Sequence, residues 1–88
     1  MTVKITKTFQ KDLRKIKNNA LDTKIKKLIS DLQKAENFLD FSNVKKMKNY
    51  ITYYRIRYGD FRVGFKYENN TITLMRIFNR KDIYKHFP

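Results

Sequence analysis

The stretch TYYRIRYGDFRVGFKY, Thr52 to Tyr67, alternates inward-type and cationic side chains on both sides of Gly59-Asp60. Alternation of this kind marks strands with one buried face, and Gly at the first central position suits a two-residue type II′ hairpin because it accepts positive φ. Such a turn sets Tyr58 opposite Phe61. Counting back from it, Ile56 meets Val63 and Tyr54 meets Phe65, which makes one face wholly apolar. The other face then pairs Arg57 with Arg62, Arg55 with Gly64 and Tyr53 with Lys66. A chain built on this hairpin is committed to a sheet with one covered face, and the cover must come from the other residues.

The N-terminal half supplies it. Phe9, Leu13 and Ile16 recur at helical spacing within Lys7 to Lys17, after a short strand at Val3 to Ile5. Asn18-Asn19 interrupts the pattern, and Leu21, Ile25, Leu28, Ile29 and Leu32 mark one face of a second helix ending near Asn37. Two adjacent amphipathic helices with a short link predict an αα-hairpin.

Val44 to Met47, Thr52 to Tyr58, Phe61 to Tyr67 and Ile72 to Phe78 are then rich in β-branched and aromatic residues. For the last of these, a two-residue Asn69-Asn70 turn would put Arg76 on the core face. A three-residue loop, which pairs Val63 with Ile77 and Phe65 with Met75, is preferred because it buries apolar side chains and aligns Arg76 and Arg80 with Arg62. Arg80 to Phe87 reads as a short terminal helix or turn. The expected architecture is α+β: a small two-layer fold of an antiparallel sheet on an N-terminal αα-hairpin, in the order β-α-α-β-β-β plus a short C-terminal helix. A chain of 88 residues forms one domain, residues 1–88.

Charge narrows the function. Lys and Arg number 21 against 8 Asp and Glu, a formal net charge of +13, and self-repulsion of that size is ordinarily relieved by a polyanionic partner. Like charges directly opposite each other, as at Arg57 and Arg62, destabilise a sheet by a few tenths to about 1 kcal/mol. Two readings fit Arg55, Arg57 and Arg62 beside Gly64: a phosphate site, for which planar guanidinium groups are well shaped, or a solvated cationic face. The absence of cysteine excludes disulfides, thiolate zinc sites and Cys nucleophiles and suits a reducing cytoplasm. No run approaches the ~18 apolar residues of a membrane span. The carboxylates do not gather at metal-like spacing, and glycine-rich phosphate loops are absent. A cytoplasmic protein without membrane contact is the expectation.

YYRIRYGDFRVGF followed by TITLMRIFNRKDIY, with VKKMKNY ahead of them, resembles the RelE-type toxins of the RelE/ParE superfamily of toxin-antitoxin modules, and in order of elements the resemblance covers essentially the whole chain. It implies an mRNA interferase: a metal-independent, cofactor-free endoribonuclease that cuts mRNA in the ribosomal A site by attack of the 2′-hydroxyl on the adjacent phosphate, and so blocks translation. It also implies a cognate acidic or amphipathic antitoxin, with operator DNA bound only through that antitoxin. Carried onto this sequence, Arg62 and Arg80 match the phosphate-stabilising arginines, and Arg55 and Arg57 match the basic pair on the preceding strand. Tyr84 matches a tyrosine that stacks on a nucleobase and takes part in proton transfer.

The chain departs from the family's pattern where lysines often stand at Arg55 and Arg57, and where a histidine often stands at Asn79. His86 is then the only imidazole and a possible acid or base, with Lys46 and Lys48 as alternatives. Lys46, Lys48, Lys66 and Arg76 join Arg55 as expected RNA contacts. Two other functions fit the same residues: a gyrase inhibitor of the ParE branch, and a basic RNA- or ribosome-binding module without catalysis.

Overall fold

The computed structural model of the chain describes residues 1–37, 44–47 and 52–82. Its elements run β1 (Thr2–Ile5), α1 (Lys7–Ile16), α2 (Asn19–Lys34), β2 (Val44–Lys46), β3 (Tyr53–Tyr58), β4 (Phe61–Glu68) and β5 (Thr71–Asn79).

Both helices begin where a side chain accepts an otherwise unpaired amide. The Thr6 hydroxyl accepts from the Phe9 N–H at 3.0 Å and donates to the Met75 carbonyl at 3.0 Å, so one side chain caps α1 and fastens it to β5. The Asn18 side chain accepts from the Leu21 N–H at 3.0 Å and starts α2. Helix α1 closes on Lys17, which takes the left-handed conformation at φ 51°. Helix α2 ends at Lys34, three residues short of the expected Asn37.

The sheet has the order β1-β5-β4-β3-β2. It is α+β as expected, with one strand more than the expected order because Val44–Lys46 pairs with β3 as a strand of its own. The sheet is mixed, since β1 joins parallel to β5, Thr2 beside Thr71 through Ile5 beside Leu74. One face carries Ile56, Val63, Phe65, Ile72, Leu74 and Ile77 under Phe9, Leu21, Ile25, Leu28 and Leu32 of the helices. Each such fully buried side chain contributes roughly 1.5–3 kcal/mol. Tyr54 stacks on Phe65 with ring centroids 5.5 Å apart, and both lie in this layer.

The β3–β4 hairpin has the register read from the sequence, from Tyr53 opposite Lys66 to Tyr58 opposite Phe61. Gly59 has φ +57° and Asp60 does not share the positive φ, the combination a type II′ turn requires.

The next connection differs from the expected three-residue loop. Asn69 and Asn70 both take positive φ, 51° and 56°, and form a two-residue turn closed by Glu68 opposite Thr71. Both central positions of a type I′ turn need positive φ, which Asn tolerates. Phe65 therefore pairs with Leu74, not Met75. A bulge between Gly64 and Phe65 then shifts the register so that Val63 faces Ile77 after all. Met75 is the extra residue of that bulge. It reverses the inside–outside alternation of β5, buries Ile77 in place of Arg76, and reconciles a tight asparagine turn with an apolar core.

The terminal helix expected over Arg80 to Phe87 falls largely outside the described residues; Arg80 to Asp82 form a turn. Among the described residues no helix is long and apolar enough to cross a membrane.

Candidate nucleic-acid interface

The face of the sheet turned away from the helices carries the arginines, and the register arranges them in rows. Arg57, Arg62 and Phe78 lie side by side across β3, β4 and β5. Lys45, Arg55, Gly64 and Arg76 form the next row across β2 to β5, and Tyr53, Lys66 and Thr73 a third. Neighbours in a row sit about one strand spacing apart, ~4.8 Å. Gly64 presents no side chain at the centre of the second row, and its backbone is buried between Arg55 and Arg76.

The Arg62 side chain and the Arg80 backbone meet at the end of the hairpin. The Arg62 Nη1 donates to the Gly59 carbonyl at 2.8 Å and the Phe61 carbonyl at 2.9 Å, which holds its head group over the turn. The Arg80 amide donates to the Asp60 carbonyl in the same turn, 2.9 Å away. Asn79, at the position where histidine is frequent in the resembling family, organises this junction. Its side chain accepts from the Lys81 N–H at 3.2 Å and its carbonyl accepts from the Asp82 N–H at 2.9 Å. Arg57, directly opposite Arg62, is exposed on the same face. The site is thus framed by the end of one strand, the turn of another pair and a side-chain-capped turn, all backbone-defined.

The remaining candidates are placed less uniformly. Arg55 shares the face, partly buried. Lys66 lies on it too, 3.4 Å from Glu68 in an ion pair whose side chains are well exposed. Lys46 pairs with Tyr54 and so stands on the helix side of the sheet, whereas Lys45, which the sequence reading passed over, stands beside Arg55. Tyr84, His86 and Lys48 lie outside the described residues. Arg76 is aligned with the arginine face but is held by a carboxylate. Its Nε donates to Asp12 Oδ2 at 2.8 Å and its Nη2 to Asp12 Oδ1 at 3.2 Å. Asp12 was not anticipated, although its place between Phe9 and Leu13 sets a carboxylate on the apolar stripe of α1 and could have signalled it.

Comparison with known proteins follows the same lines. A family model described as the ParE toxin of the type II toxin-antitoxin system parDE matches residues 3–84. Toxin RelE3 of Methanocaldococcus jannaschii is 38% identical over 89 residues, covering 100% of both chains. The chain belongs to the RelE/ParE superfamily of toxins. This RelE/ParE chain is also similar in structure to the toxin of the RelB-RelE antitoxin-toxin complex from Methanococcus jannaschii. There the TM-score is 0.79 at 37% identity, over 97% of this chain and 99% of the other. The RelBE2 toxin-antitoxin complex of Mycobacterium tuberculosis shares the fold at a TM-score of 0.69 and 21% identity, over 92% of each chain. YafQ from E. coli does so at 0.70 and 12% identity, over 93% of this chain and 96% of that one.

Proposed function

We propose that this toxin is a ribosome-dependent mRNA endoribonuclease, neutralised by a cognate antitoxin. The observation that carries the reading is that the Arg62 side chain and the Arg80 backbone meet at the β3–β4 turn, with Arg57 opposite Arg62. In the reaction the 2′-oxygen forms a bond to the adjacent phosphorus while the bond to the 5′-oxygen breaks, leaving a 2′,3′-cyclic phosphate and a 5′-hydroxyl. The intermediate phosphorane gains negative charge on its non-bridging oxygens. Fixed guanidinium groups aimed at those oxygens stabilise it more than they stabilise the ground state, which is the largest help a protein without a metal gives. Arg62, pinned to two carbonyls, needs little reorganisation to do this. Arg cannot serve as the base at neutral pH; we assign proton transfer to Tyr84, with Lys48 and His86 as its alternatives, since Lys46 stands on the other face of the sheet.

An antitoxin is supported by two of the relatives, whose structures are complexes of toxin and antitoxin, and by a net charge of +13 that an acidic partner relieves. A cytoplasmic setting accords with ribosomes as the place of action. The match to a ParE family model favours a second reading, inhibition of DNA gyrase.

Primer extension on a reporter mRNA, with and without ribosomes, tests the first reading beside Arg62→Ala and Tyr84→Phe, and a supercoiling assay tests the second. Discrete ribosome-dependent cuts that vanish in Arg62→Ala are expected. Intact mRNA with blocked supercoiling would replace ribonuclease by gyrase inhibitor, and RNA binding with neither activity would leave a non-catalytic binding module.

A further inference from the structure

Asp12 is the buried charged side chain among the described residues, 5% exposed. Besides both bonds from Arg76 it accepts the Ile77 N–H at 3.1 Å, so a single carboxylate on α1 grips the edge of β5 just past the bulge. The carboxylate end of the pair is buried and its arginine end partly exposed, so beside a modest contribution to stability the pair fixes the position of a cation that reaches solvent. Its geometric effect is plain. The Arg76 guanidinium is fixed above the Phe78 ring, Cζ lying 4.3 Å from the ring centroid, while 29% of the Arg76 side chain stays exposed. Phe78 stands next to Arg62 in the first row of the outer face, and Met47, Tyr53, Met75 and Phe78 pack together as a second apolar cluster.

A planar cation locked against an aromatic ring, one strand from a phosphate-binding arginine, is what single-stranded RNA uses for base stacking. Resting on the RNA reading above, we propose that Arg76 and Phe78 form a stacking platform for a nucleobase adjacent to the phosphate at Arg62, and that Asp12 is its positioning residue. The ligand class is an unpaired base of single-stranded RNA, recognised by its π face and therefore with little sequence preference. The bulge acquires a role in this arrangement, since it brings Arg76 to the outer side, where an unbroken strand would have turned it inward.

The test uses a short 2′-O-methyl oligoribonucleotide, which resists 2′-hydroxyl attack, with a single abasic position moved along it. Affinity is read by fluorescence anisotropy at low ionic strength. Wild-type protein is expected to bind roughly tenfold more weakly when one particular base is missing, the size of effect a stacked base has. Phe78→Leu and Asp12→Asn should erase that difference while retaining salt-dependent binding, and Phe78→Tyr should keep it. A base-dependent difference that survives in Phe78→Leu, or its absence at every position in wild type, would overturn the platform. If platform variants instead weaken only the binding of M. jannaschii RelB, the surface serves a protein partner and the inference fails. Failure of wild type to bind RNA at all would sink the RNA reading as well, whereas confirmed cleavage without base dependence would remove the platform alone.

Discussion

Replacing Asp12 by alanine should be among the most damaging single substitutions on α1 although it removes only three heavy atoms. The loss has two parts. The Ile77 N–H, on a residue 1% exposed, would lose its acceptor, and a buried orphan amide costs about 1–3 kcal/mol. The ion pair with Arg76 contributes less, about 1 kcal/mol, because the arginine is partly exposed and solvent screens it. Together Asp12→Ala should cost roughly 2–4 kcal/mol, a large share of the ~4–13 kcal/mol available to a domain of this size. Asp12→Asn retains a carbonyl oxygen for the Ile77 amide and loses the charge, so about 1–2 kcal/mol is expected. Urea unfolding followed by circular dichroism measures both, with an unchanged m-value as the sign that compactness is unaltered. On melting, alanine should lower Tm by roughly 10–25 °C. A cost below ~1 kcal/mol for alanine, or equal costs for alanine and asparagine, would refute the assignment of the larger share to the Ile77 amide.

Other outcomes follow from single contacts. Thr6→Val removes both the α1 cap and the bond to the Met75 carbonyl, whereas Asn18→Ala removes a cap alone; about 1–2 kcal/mol and about 1 kcal/mol are expected in urea titrations. Gly59→Ala meets no atom within 4 Å of its new Cβ, so its cost of about 1–2 kcal/mol should come from the positive φ alone. That cost should be unaffected by trimming neighbouring side chains. In RNA-binding titrations against salt, Arg62→Ala should lower the slope of log K against log salt by about 0.7, the share of one phosphate contact on a single strand.

How much of this was legible in the sequence depends on how many constraints met at each residue. At the β3–β4 hairpin, alternation, turn chemistry and the apolar face all selected one register, and that register is the one observed. At β4–β5 two valid rules disagreed, since Asn69-Asn70 calls for a two-residue turn while Val63 calls for Ile77 as its partner. A contiguous ladder cannot satisfy both. The extra residue at Met75 satisfies each in its own half; Gly64 inside the β4 run is a local signal of such a bulge, but it does not say which strand carries the extra residue or where the register changes. The same reasoning explains Lys45 and Lys46. Which of two adjacent lysines faces the arginines is decided by pairing with Tyr54 or Arg55, a choice that a three-residue strand cannot announce. Asp12 was legible only in part: its position on the apolar stripe of α1 signals burial, but its partner lies 64 residues away on the far side of that bulge. The cationic row was therefore readable from local pattern, whereas the device that holds one of its arginines over an aromatic ring emerges only when α1, the bulge and β5 are brought together.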